Sequence, residues 1–190
     1  MASVTEMPQE EAYVSVDIEA SGPIPGDYSL LAIGACLVDE PDQTFYRELK
    51  PMSDRFVADA LAVSHLSLDD LKRRGADPAQ SMRDFARWVQ KATSARRPVF
   101  VGFNAGFDWA FINWYFHHFM VENPFGISAL DIKSYYMGLV GTSWEATRSS
   151  QIPAEYRDPD RSEHTHNALQ DAVEQAAMFA RMLNAASERR

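Results

Sequence analysis

Cysteine is all but missing: Cys36 is the single one in 190 residues, which excludes an intramolecular disulfide and any cysteine-based metal cluster. It stands inside the apolar run LLAIGACLV, where a lone thiol is expected to act as a small core residue. Long apolar runs are missing too. None approaches the length of a bilayer span, and the N-terminus, MASVTEMPQEEA, has no basic segment leading into an apolar one. The expectation is a soluble cytoplasmic protein with no membrane partner. Basic charge is in deficit, with 18 Lys and Arg against 27 Asp and Glu and a net charge of −9. That balance argues against tight, sequence-blind binding to long duplexes, which draws its affinity from cations neutralising phosphates. A nucleic-acid substrate stays open, because acidic side chains around a metal are masked by it and local arginines can still guide a strand.

What is present is globular in composition, 46% hydrophobic and 12% aromatic, enough at this length for one domain with a substantial core. Residues 1–11 read as a mobile polar tail and 12–190 as a single domain without internal repeats. Residues 13–19, 29–38 and 43–50 are rich in Val, Ile, Leu, Tyr and Phe and are separated by GPIPGD and DEPD. They are expected to form three strands of an antiparallel meander. The segment 56–75 reads as mostly helical, with Ser67 as a cap and Gly75 as a stop. A helix over 78–93 would bury Met82, Phe85 and Val89 and leave Arg83, Arg87 and Lys91 on a solvated face.

PVFVGF, 98–103, is expected to be a short buried strand, followed by a turn at 104–106 and an aromatic helix to about residue 121. Phe107, Phe111, Trp114, Tyr115 and His118 would share that helix's core face. Trp109, Phe116 and Phe119 fall elsewhere, so the helix needs cover on more than one side, which suggests either a central position or a homodimer contact. ISALDI, 127–132, is a fifth strand, with a brief helix after it. Residues 141–165 lack periodicity, and a connection of that length is a functional or a disordered loop. It holds Trp144 and three arginines, Arg148, Arg157 and Arg161, which could stack on and attract a single-stranded end. The last helix, 167–186, would bury Leu169, Ala172, Ala176, Phe179 and Leu183. Strands first and βα alternation afterwards point to an α/β sandwich with a mixed sheet of about five strands, the first three antiparallel.

The chain is organised around VSVDIEASG, 14–22. Asp17 and Glu19 stand two apart at the end of an apolar strand, so both carboxylates share one face. Carboxylates at such a place are costly without a cation or donors to compensate them. Asp108 sits among Phe107, Trp109, Ala110 and Phe111, an equally poor place for an unpaired charge. Asp171 lies beside the apolar stripe of the last helix, with His166 five residues before it. Five helical positions turn the chain about 140° from the starting face. The two side chains can therefore converge only if His166 belongs to the entering loop.

Taken together, Asp17-x-Glu19 on a first strand, Asn104-x-x-Phe107-Asp108 opening a helix after a buried strand, and His166-x4-Asp171 opening the last helix resemble the DEDD 3′-5′ exonuclease superfamily. The histidine five before Asp171 is similar to its DEDDh branch, with ribonuclease T and the proofreading exonucleases. The resemblance covers residues 13–180 in order. It implies a ribonuclease H-like three-layer fold and hydrolysis of terminal phosphodiesters of single-stranded DNA or RNA. It also implies two divalent cations, Mg²⁺ with Mn²⁺ able to substitute, held by Asp17, Glu19, Asp108 and Asp171. His166, of a side-chain type suited to proton transfer near neutrality, would be the general base. Ala20, Ser21, Gly22, Asn104 and Phe107 would receive the terminal nucleotide. The sequence departs from the pattern at Ala20-Ser21, where Thr-Thr or Thr-Ser is common, and at Phe103, where histidine is common. These departures touch sugar preference rather than reaction type. The competing expectation is a catalytically silent interaction module on the same fold, which loss of an acidic position would favour; all four and the histidine are present.

Overall fold

The computed structural model describes residues 9–157 and 166–189. Five strands form one sheet: β1 (Glu11–Ala20), β2 (Leu30–Leu37), β3 (Thr44–Glu48), β4 (Arg97–Gly102) and β5 (Ala129–Asp131). Their order is β3-β2-β1-β4-β5. β1, β2 and β3 are antiparallel neighbours, whereas β4 and β5 lie parallel to β1. The short connections among the first three strands allow hairpins; the parallel strands need helical crossovers. Residues 9–11 do not behave as the expected tail. Glu11 begins β1 opposite Arg97, Arg97 N donates to Glu10 O at 2.7 Å, and the Gln9 amide reaches Ala95 O. Residues 1–8 of that tail lie outside the described residues.

Six helices follow from the local sequence: α1 (Ala58–Ser64), α2 (Leu68–Arg74), α3 (Pro78–Thr93), α4 (Gly106–His118), α5 (Ile132–Val140) and α6 (Ala168–Glu188). Ser67 caps α2 by accepting from Asp70 N. Asp77 caps α3 by accepting from Gln80 N, with Pro78 in the first turn, where its missing N–H costs nothing. Arg83, Arg87 and Lys91 are exposed, as expected of a solvated face.

Alternation along β1 sorts the molecule into layers. Val14, Val16 and Ile18 join a core with α3 and α4, where Phe85, Phe100, Phe111, Tyr115 and Phe116 are all fully buried. Tyr13 and Ser15 face the other way, toward α6: the Tyr13 ring meets Phe179 edge-on and Ser15 Oγ donates to Ala172 O at 2.7 Å. β2 is buried on both faces because helices cover both. Cys36 is buried on the α6 side, as a core thiol.

The faces of two helices differ from the sequence expectation. On α4, Phe107 and His118 are exposed, while Phe116, placed off the core face by sequence, is fully buried and stacks on Phe85. An apolar helix surface has no contrast from which to read a direction. Cover comes from the chain itself: Trp109 meets Phe100, and Trp114 lies over Gly26. On α6 the buried positions are Ala168, Ala172, Gln175, Ala176, Phe179 and Met182, while Leu169 and Leu183 are half-buried. The connection after α5 is structured through residue 157. Three short 3₁₀ turns, Glu145–Thr147, Ser149–Gln151 and Ala154–Tyr156, bury Thr147, Ile152 and Tyr156.

Candidate active site

The site lies where β1 and β4 part. Their pairing ends at Ser15 and Val101, and β1 runs on to Ala20 with no further pairing to β4. β1 has an antiparallel neighbour on one side and a parallel one on the other, so the crevice opens at the carboxyl ends of the strands, at the switch in topology. Asp17 and Glu19 project into it on the α6 side. Asp108 enters from the first turn of α4. It is 5% exposed, and its Oδ1 accepts from Ile18 N at 3.1 Å, taking the place a β4 carbonyl would have held.

α6 brings the remaining carboxylate. Gly34 of β2 pairs with Asp17, and a Cβ on Gly34 would stand 2.1 Å from the Ala168 carbonyl carbon. Only glycine lets the first turn of α6 sit so close to the sheet. Asn167 caps that turn, accepting from Leu169 N and Gln170 N, each at 3.2 Å. The Ala172 carbonyl is held by Ser15 Oγ and, at 3.6 Å, by Cys36 Sγ. Asp171 is thereby placed so that one oxygen each from Asp17, Glu19 and Asp171 lie within 4.8 Å of one another. His166 precedes the cap in left-handed backbone (φ 49°) and is exposed. It belongs to the entering loop, as the helical geometry required.

Crowding leaves its mark on the acids. Burial, and then Asp108, Asp171 and Glu19, push Asp17 well above the usual carboxylate range. Glu19 is pushed to about 8 by burial and by Asp171 and Asp108. Asp108 rises to about 7, chiefly through burial, against the opposing pull of its backbone donors. A cation among these groups would reverse the shifts. An all-oxygen donor set of this kind fits a hard divalent cation.

The residues expected to receive a nucleotide divide into two groups. Phe107, at the start of α4, is 38% exposed, and Asn104 forms the turn before it in left-handed backbone (φ 65°), which asparagine tolerates. Ala20 and Ser21 are buried, and the Ser21 hydroxyl is engaged within the loop, donating to Arg55 O and accepting from Ser29 N, both at 2.9 Å. Gly22 lies against the Tyr28 ring, where a Cβ would overlap it.

Several supporting groups went unnoticed in the sequence. Asp131 caps α5 through Ser134 N and also accepts from Ala105 N at 2.9 Å, fixing the turn that aims Asp108. Gln175 touches both Asp17 and Phe103 N. Ser149 lines the crevice with Asp17 and Asp171. Gln175 alone left a signal, a polar residue four positions after Asp171 on an apolar stripe. Trp144 is exposed, with the Lys133 ammonium 4.2 Å above its ring; Arg148 pairs with Glu145, and Arg161 lies outside the described residues.

Known proteins bear on this geometry. A family model described as 3′-5′ exoribonuclease Rv2179c-like domain matches residues 12–183. The chain is 48% identical over 187 residues to the 3′-5′ DNA exonuclease Cap18 of Escherichia coli, covering 95% of this chain and 96% of the relative. Among solved structures, the nuclease domain of 3′hExo, a DEDDh family member, bound to rAMP, superposes with a TM-score of 0.72 at 14% identity, covering 91% of this chain and 92% of that one. The zinc-bound E. coli ExoI–ssDNA complex superposes with a TM-score of 0.69 at 15% identity, covering 90% of this chain and 40% of that one.

Proposed function

The chain belongs to the 3′-5′ exoribonuclease Rv2179c-like family, is a 3′-5′ exonuclease and has a ribonuclease H-like fold, and from that premise we propose that it removes nucleoside 5′-monophosphates from single-stranded 3′ ends by a two-cation mechanism. The observation that carries the proposal is the gathering of Asp17, Glu19 and Asp171 oxygens within 4.8 Å, with buried Asp108 against Ile18. Asp17, Glu19 and Asp171 would hold one cation, and Asp17 and Asp108 the second. Mg²⁺ is the expected ion, with Mn²⁺ able to substitute; when bound, the pair supplies activation of water and stabilisation of charge on the phosphate and the leaving 3′ oxygen.

The protein's own groups do the rest. His166, on the rim before α6, takes the proton of the attacking water. Exposed Phe107 offers a ring face to the terminal base, and the Ala20–Gly22 loop and the Asn104 turn shape the pocket for its sugar. Trp144 offers a second ring face to a single strand. None of the described helices is long and apolar enough to cross a membrane. The matching family is described by RNA and the E. coli relative by DNA, so the sugar is a question for matched substrates. Labelled DNA and RNA oligomers of one sequence, incubated with Mg²⁺ or Mn²⁺, should yield mononucleotides from the 3′ end and none in EDTA. Product formed equally well in EDTA would reject the cation mechanism.

A further inference from the structure

Gln175 stands among alanines on the buried stripe of α6 and is 8% exposed. Its two amide ends are both engaged. Oε1 accepts from Phe103 N at 2.8 Å, and Nε2 donates to Asp17 Oδ1 at 2.6 Å. The assignment of the two ends follows from the partners, since a backbone N–H can only donate and a carboxylate oxygen accepts. One side chain thus ties the end of β1 to the end of β4 where the strands no longer pair. Phe103 leads directly into the turn that carries Asp108.

We propose that Gln175 is a positioning residue for the cation site: it holds the Asp17 carboxylate in one orientation and keeps the β4 end, with its turn, at a fixed distance from it. The inference rests on the two-cation reading above. Without a cation, Asp17, Glu19, Asp108 and Asp171 repel one another, and a free carboxylate would turn away from the cluster. An amide donor opposes that turn. Being neutral, it does so without supplying the positive charge that a lysine or arginine would bring in competition with the metal. Its effect belongs to the readiness of the site rather than to contact with substrate.

Two variants separate this role from simple packing. Gln175→Met keeps the length and removes both hydrogen bonds. Gln175→Glu keeps an acceptor for Phe103 N and replaces the donor facing Asp17 with a second acceptor. Mn²⁺ binding to the full chain, followed by calorimetry at pH 8, should weaken by about 10–100-fold in both variants, as for other groups that orient metal ligands. Exonuclease kcat should recover most of its wild-type value at saturating Mn²⁺. Should the Met variant fail to fold, the Glu variant carries the test. Wild-type Mn²⁺ affinity in Gln175→Glu would overturn the inference, leaving Gln175 a brace for β4 alone. Absence of Mn²⁺ binding by the wild-type protein would remove the cation site, and the inference with it.

Discussion

The two faces of the sheet are built from alternate residues of the same strands, yet they obey opposite rules. Toward α3 and α4, Val14, Val16 and Ile18 meet large rings, with Phe85 and Phe116 stacked 6.0 Å apart and Phe100 edge-on to Phe125 at 5.4 Å. Toward α6, the strand end offers Ser15, Asp17 and Glu19, and the helix answers with Ala168, Ala172, Gln175 and Ala176. Large side chains hold layers apart and bury apolar area; small ones let backbones approach until short polar groups can touch across them. The first face stabilises the chain. The second gathers like charges, and so works against stability until a cation arrives.

Substitutions on each face should therefore separate activity from stability. Asp17→Asn should lower exonuclease turnover by on the order of 10³-fold or more, given the several kcal/mol a bound metal supplies. In EDTA its Tm should match or exceed that of the wild type, because a crowded charge is gone. A large drop in Tm would break the contrast. Phe116→Ala should do the reverse, costing about 3–5 kcal/mol in denaturant unfolding, while Mn²⁺ affinity of the folded protein stays unchanged. His166→Ala should cut turnover by ~10²-fold with the unfolding curve unmoved, since the residue is exposed and outside the helix; near-wild-type turnover would reject its role as base.

The smallest effect is on pH dependence. Glu19 and Asp108 are raised to about 8 and about 7 in the folded protein, from ordinary values of 4.5 and 3.8. Between those limits the folded state binds more protons than the unfolded one, so stability in EDTA should fall as pH rises from about 5 to 8. Saturating Mg²⁺ should flatten or invert that slope in thermal melts, because a cation favours the ionised acids. A slope unaffected by Mg²⁺ would mean that the acids and the ion do not meet.

All five strands, the helical segments that hold α1 to α6 and the cap at Ser67 were legible in the sequence, because alternation, helical period and a capping side chain are local signals; the cap at Asp77 was read only from the structure. The meeting of Asp17, Glu19 and Asp171 was legible too, through their apolar context and the joint resemblance of the three motifs to the DEDD exonucleases. Three further things were not. The direction of α4 was lost because aromatic residues surround it, so Phe107 and Phe116 exchange their expected places. The turns at 145–156 have no period, and their order comes from burying Ile152 and Tyr156 against distant parts. Gln175 and Asp131 act on backbone groups 72 and 26 residues away: Asp131 has no local mark, and the one Gln175 leaves, a polar residue on an apolar stripe, does not name its distant partner.

The contact between Gly34 and the first turn of α6 bears on how the enzyme is made. Asp17 and Asp171 are 154 residues apart (171 − 17), and at roughly 5–20 residues per second a ribosome needs about 8–30 s to travel between them. During that interval the emerging polypeptide carries Asp17 and Glu19 without Asp171, so the acidic cluster cannot yet close. The cluster closes only after the final helix is made and its first turn lies against the bare backbone of Gly34.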